Sequence, residues 1–151
     1  MSNLCPGKSV GVICEDTDGR ILMMYRRYEP YGWACPAGHI DEGENAEEAL
    51  IREYHEETDL EVVDTRDLFQ ESLPWNNCHR SEGGGHQWWV FRVFCKGEVT
   101  ISEEETRVDS KTGLRWGWFS RDELQDMELE PVWRYWFEKL GYIKTKTERQ
   151  A

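Results

Sequence analysis

The segment from Asn45 to Thr58 constrains this chain more than any other, because its apolar residues share a face only if it is helical. Ala46, Ala49, Leu50 and Tyr54 recur at offsets of three and four, and neither Pro nor Gly interrupts them. The opposite surface is almost entirely acidic. On it Glu53, Glu56 and Glu57 stand at i, i+3 and i+4, so their carboxylates share one side of the helix. Like charges so placed repel by about 0.2–0.5 kcal/mol per pair even when solvated. A helix that keeps them together invites a compensating cation, and oxygen-only ligands select Mg²⁺, Mn²⁺ or Ca²⁺ over zinc. A solvated acidic helix face is the plainer alternative, and three glutamates alone would favour it.

Strands surround this helix. Residues 8–14 read as a strand, Asp16-Thr17-Asp18-Gly19 as a turn, and Arg20 to Arg26 as the returning strand of a hairpin. Residues 28–32 are a loop, and Trp33 to Pro36 is short and extended. After the helix, Leu60 to Asp64 and Leu68 to Ser72 are extended, Pro74 to Asn77 is a loop, and Ser81 to Gly85 is a Gly-rich tip. His86 to Cys95 is apolar on both alternating sets and is therefore expected to be covered on both faces, with Trp88 and Trp89 pointing oppositely. Ile101 to Lys111 is an acidic loop and Leu114 to Phe119 another strand. Ser120 with Glu123 forms a capping box for a short helix, Glu130-Pro131 opens a last one, and Gly141 ends it. The tail from Lys144 to Ala151 is polar and is expected to fray. Strands, helix, strands, helices, with no repeat and no linker, predict one α/β (α+β) sandwich domain with a mixed central sheet over residues 1–151.

Composition narrows the partners. Only 38% of the 151 residues are hydrophobic, but eight Trp, six Tyr and five Phe supply large buried areas. No apolar run approaches the roughly 20 residues of a membrane-spanning helix. The first residues lack the basic and apolar regions of a secretory signal, so the expected setting is cytoplasmic, with no membrane partner. The five cysteines contain no CxxC pair, which excludes zinc-ribbon spacing and predicts reduced, mostly buried thiols. A net charge of −12 argues against a nucleic-acid partner, yet permits a small phosphorylated substrate reached through metal.

The residues upstream of the glutamates decide between the cation and the solvated face. Gly38, Glu44, Arg52, Glu53, Glu56, Glu57 and Leu60 fall at fixed intervals: Gly, five residues, Glu, seven residues, then Arg-Glu-x-x-Glu-Glu-x-x-aliphatic. This pattern resembles the Nudix box, and a solvated helix face does not account for it. Two positions depart from the family pattern. Tyr54 fills an aliphatic site, and Asp59 replaces the last glycine, just past the helix where a left-handed backbone is common.

The resemblance implies a sandwich in which the box forms a loop, helix and loop, and a metal-dependent hydrolase of phosphoanhydride bonds in nucleoside-diphosphate-linked nucleotides, nucleotide sugars or dinucleotides. Glu53, Glu56, Glu57 and the Gly38 carbonyl are the implied ligands of Mg²⁺, with Mn²⁺ as a substitute. Glu44 is implied to complete the site, and Arg52 to orient a box glutamate. Either Glu57 or a glutamate of the loop Glu103-Glu104-Glu105 is the general base. Arg27, with Arg26 beside it, is a candidate phosphate contact, and Trp33 and Trp75 are candidate stacking platforms for a base. The four histidines lack metal-ligand spacing and are expected at the surface or in loops. A homodimer is expected from the family. The alternative is a catalytically weak nucleotide-binding or sensor module, favoured only by Asp59; isomerase chemistry lacks its supporting motifs.

Overall fold

In β1 (Lys8–Cys14), Val10, Val12 and Cys14 pack with one cluster of buried side chains and Ile13 with another, so the strand has both faces covered. The computed structural model describes residues 7–76 and 85–145. Covered on both sides, β1 lies inside a four-stranded sheet. It pairs antiparallel with β4 (Ala37–His39) and parallel with β6 (His86–Lys96), and β6 pairs antiparallel with β5 (Glu61–Leu73). The strand order is β4-β1-β6-β5, a mixed sheet as expected.

A second, three-stranded sheet was not foreseen. β2 (Ile21–Tyr25) pairs with β3 (Trp33–Ala34) and with β7 (Trp116–Phe119), both antiparallel. The expected hairpin between residues 8–14 and 20–26 is therefore corrected. Asp16 to Gly19 does turn the chain, and Glu15 forms one bridge with Ile21, but the strands then part into different sheets. The reason is competition: both edges of β1 are already taken by β4 and β6. The two extended segments expected from Leu60 to Ser72 are one long strand, β5, whose register shifts near Val63 and Leu68.

One face of the four-stranded sheet meets α1 (Ala46–Thr58), which buries Ala49, Leu50 and Tyr54 against Val10, Val12, Phe91 and Val93. Tyr54, at the position where the family carries an aliphatic residue, is 0% exposed, so its ring fills the core at that site. The other face packs on α3 (Pro131–Leu140) through Trp133, Trp136 and Phe137, joined by Ile21, Met23 and Trp33. A short helix, α2 (Arg121–Leu124), has the capping box expected of Ser120 and Glu123. No helix among the described residues is long and apolar enough to cross a membrane. Cys14 and Cys35 are buried free thiols and Cys95 is partly buried; Cys5 and Cys78, the tip at 81–84 and the tail from 146 lie outside the described residues.

Both ends of α1 are built locally. Asn45 caps it, accepting from the Glu48 N–H at 2.8 Å while its own N–H donates to the Glu48 carboxylate at 3.1 Å. At the other end Asp59 has φ of 60°, and its N–H donates to the His55 carbonyl at 2.9 Å. Glycine occupies that left-handed region without the steric cost an L side chain carries. Replacing Asp59 by Gly is expected to stabilise the protein by about 0.5–1 kcal/mol, read as a higher urea midpoint with an unchanged slope. A lower midpoint would show that the Asp59 side chain does more than tolerate its turn.

Candidate functional site

Arg52 organises the loop that precedes α1. Its guanidinium grips Glu44 with two bonds, Nε at 2.7 Å and Nη2 at 2.8 Å. The other nitrogen donates to Glu53 at 2.9 Å and Glu56 at 3.4 Å, and Nη2 also reaches Asp41 at 3.2 Å and the His39 carbonyl. The Arg52 contact, with the Asp41 N–H, lowers the Glu44 pKa to about 2. Glu44 thus acts as the counterion that ties loop to helix, and it does not line the cleft beside them.

That cleft, of about 420 Å³, is lined by Gly38, Glu53 and Glu57 of the box and by Arg26, Arg27 and Glu105 from outside it. The Glu53 carboxyl lies over the bare Cα of Gly38, where any Cβ would overlap it. Burial raises the Glu53 pKa against the pull of Arg52. Glu57 is more isolated. Burial first, then the charges of Glu53 and Glu105, raise its pKa well above the ordinary value, while the Ala37 N–H and Arg26 oppose them. Its Oε2 is buried with no hydrogen-bond partner. Such an oxygen, buried within the field of two further carboxylates, has the chemistry of a cation ligand rather than of a structural ion pair. Among the described residues no three acidic, histidine or cysteine side chains are gathered around one point.

The remaining candidates divide. Arg27 lines the cleft and donates to the Glu103 carbonyl at 3.1 Å. Of the acidic loop, Glu105 reaches the cleft, whereas Glu103 pairs with Arg115 at 3.0 Å. Glu56 is not in the cleft wall; its side chain is 58% exposed. Trp33 does not serve as a stacking platform. It is 1% exposed in the core, its indole N–H donating to Asp109 at 3.1 Å, because β3 carries it beneath α3. Trp75 is exposed but sits edge-on to Tyr135 outside the cleft. His39 and His86 were expected at the surface or in loops; both line the cleft, and His86 is buried. Ser9, Met24, Asn76 and Glu130 also line it and had not been singled out. Ser9 lies opposite Trp88 in the parallel register, so the two share a face, and no signal in the sequence gives that pairing.

The NUDIX domain family model matches residues 6–140, nearly the whole chain. The chain belongs to the Nudix family. Among curated Nudix relatives, it is 29% identical over 119 residues to an RNA pyrophosphohydrolase of Sodalis glossinidius (strain morsitans), covering 72% of this chain and 67% of that protein. It is 44% identical over 64 residues to Nudix hydrolase 19, chloroplastic, of Arabidopsis thaliana, covering 42% of this chain and 14% of that one. Among solved structures it is similar to a MutT protein from Methanosarcina mazei Go1, with a TM-score of 0.62 and 20% identity over 92% of this chain and 95% of that one. At that identity the likeness is one of fold, and it bears out the expected Nudix-type α/β architecture.

Proposed function

We propose that this Nudix chain is a metal-dependent pyrophosphohydrolase that cleaves a phosphoanhydride bond in a nucleoside-diphosphate-linked substrate. The enzyme class agrees with the family and with relatives named pyrophosphohydrolases. The observation that carries the reading is the unpaired, buried Glu57 oxygen in a cleft that Glu53 and Glu105 also line. Glu53, Glu57 and the Gly38 carbonyl would hold Mg²⁺, with Mn²⁺ as a substitute, and Glu56 lies one turn away to join them. When bound, the ion neutralises phosphate charge and lowers the pKa of the attacking water. Arg26 and Arg27 bring positive charge to the lining of the same cleft, where it can hold the diphosphate. Glu105, free of the Arg52 network, takes the proton of the water as the new P–O bond forms and the anhydride P–O bond breaks. Arg52 and Glu44 keep Glu53 over Gly38 and touch no substrate. Cytoplasmic location and a single domain belong to the same proposal.

A second reading concerns what the diphosphate is attached to. The relatives named RNA pyrophosphohydrolases favour an RNA substrate, against which the net charge of −12 weighs. One experiment separates these. Nucleoside triphosphates, nucleotide sugars, dinucleoside polyphosphates and a 5′-triphosphorylated oligonucleotide are incubated with Mg²⁺ or Mn²⁺ in ¹⁸O-water, and the products identified. Label in a released phosphate product of a mononucleotide or dinucleotide supports the first reading; turnover of the oligonucleotide alone replaces it with the second. Binding without turnover across the panel assigns the chain as a sensor. Light scattering on the same sample tests the expected homodimer.

A further inference from the structure

Cys14 and Cys95 take no part in the chemistry above, yet the fold brings them together behind the box helix. β1 and β6 run parallel with Cys14 opposite Val93, so Cys95, two residues on, stands on the same face of the sheet. Both are free thiols that pack with Val10, Val12, Leu50 and Tyr54, Cys14 being 1% exposed and Cys95 only partly buried. The Cys14 sulfur is within hydrogen-bonding reach of the Cys95 thiol and of the Tyr54 hydroxyl. Buried thiols are ordinarily explained as small apolar fillers. A filler has no need of a second thiol, nor of donors that favour its charged form. Here the Cys95 S–H, helped by the Tyr54 O–H, outweighs burial and lowers the Cys14 pKa, while the shared proton and burial raise that of Cys95. Cys35, wholly enclosed, is instead pushed up by burial.

Joining the two sulfurs moves backbone. Diagonal neighbours on adjacent strands lie about 7–8 Å apart at Cα, and a disulfide closes at about 4.4–6.8 Å, so the strand ends must approach by roughly 1 Å. The backbone that has to move is the least tied. Pairing of β6 with β1 ends at Val93, and β5 is bulged between Val62 and Asp64, opposite Cys95 and Phe94. Gly97 follows with φ of 116° and lies against Leu60, the last residue of the box. Cys14, Leu60 and the buried side of α1 share one cluster, so drawing the strand ends together shifts the floor on which the glutamate-bearing helix rests.

We propose that Cys14 and Cys95 are a peroxide-sensitive dithiol whose disulfide displaces α1 and turns the site off. The bond itself stands apart from the hydrolase reading; only the loss of turnover rests on it. A thiolate of the pair attacks the peroxide, its S–O bond forming as the O–O bond breaks and hydroxide takes up the thiol's proton as water. The second sulfur then attacks the sulfenic acid, the S–S bond forms, and the S–O bond breaks with release of water. Two thiols lose two hydrogens and two electrons, and one peroxide becomes two waters.

The test treats wild type and Cys95→Ala with hydrogen peroxide, alkylates the remaining thiols, and maps the peptides by mass spectrometry without reduction. Mg²⁺-dependent turnover and the rise in Tm on adding Mg²⁺ are measured before treatment, after it, and after dithiothreitol. Wild type is expected to lose two hydrogens in a cross-link between the peptides carrying Cys14 and Cys95. Its turnover is expected to fall by about tenfold or more, since displacements of about 1 Å around a reacting centre cost up to ~10²-fold, and dithiothreitol to restore it. The Mg²⁺-induced rise in Tm shrinks in parallel, and Cys95→Ala keeps both properties through the same treatment. Cys14→Ala stands in if that variant does not fold. Oxidation that stops at sulfinic acid, or that pairs either thiol with Cys5, Cys35 or Cys78, overturns the proposal. So does a Cys14–Cys95 cross-link that leaves both turnover and the Mg²⁺ response unchanged. A cross-link that weakens the Mg²⁺ response in a protein without turnover removes the hydrolase and keeps the dithiol.

Discussion

Replacing Glu57 by Gln is expected to lower metal-dependent turnover by about 10³-fold or more while the protein stays folded. The reason lies in what surrounds that one side chain. Burial, Glu53 and Glu105 all disfavour its negative charge, and its Oε2 has no partner to offset them. A bound cation offsets all three effects, and the neutral amide gives the cation much less to hold. The same reasoning fixes the sign of the stability effect. A carboxyl whose pKa is raised on folding contributes most below its ordinary value of 4.5, and that contribution is lost as pH rises and the unfolded chain sheds the proton first. Metal-free Glu57→Gln is therefore expected to unfold at or above the wild-type temperature at pH 8, and Mg²⁺ to stabilise wild type more than the variant. A variant that keeps wild-type turnover, or that loses it only by unfolding, would remove Glu57 from the metal site.

Gly32→Ala is expected to destabilise the fold by about 3 kcal/mol or more, a fall of roughly 6–12 °C in Tm for a chain of this size. Gly32 has φ of 127°, a conformation almost reserved for glycine. A Cβ there would stand 2.5 Å from the Glu130 nitrogen and 2.8 Å from the Leu129 carbonyl carbon. Both obstacles are backbone, held by the Trp33 bonds to Glu128 and Glu130, so no side chain can swing aside. The strain falls where β3 meets the start of α3, the junction that aims Glu130 into the cleft. Thermal unfolding followed by circular dichroism checks this, and an unchanged midpoint would mean the loop moves freely and Glu130 is not rigidly placed.

Local chemistry was legible in the chain. The three-and-four spacing from Ala46 to Tyr54 identified α1, and the capping box at Ser120 and Glu123 and the glycine at Gly141 located helix ends, because each depends on residues within one or two turns. The interval from Gly38 to Leu60 likewise identified the family and the residues around which the cleft forms. Pairing was not legible. Residues 8–14 and 20–26 have the pattern of a hairpin, and only the arrival of β4 and β6 on both edges of β1 sends β2 to another sheet.

Side-chain destination was harder still. Trp33 and Trp75 are the same residue type near the same motif, yet one is sealed in the core and the other lies against Tyr135. Glu53, Glu56 and Glu57 share a helix face by spacing alone, but Arg52 holds Glu56 outward while the sheet walls in Glu57. Glu130, read in the chain only as the start of a helix, becomes part of the cleft because α3 docks against β3. Sequence thus determined the periodic elements and the spacing of the acidic motif, which arise from contacts between near neighbours. Which carboxyls lose their water, and which charges act on them, was decided by residues far apart in the chain, Arg26 and Glu130 among them, as burial and field are properties of the packed whole.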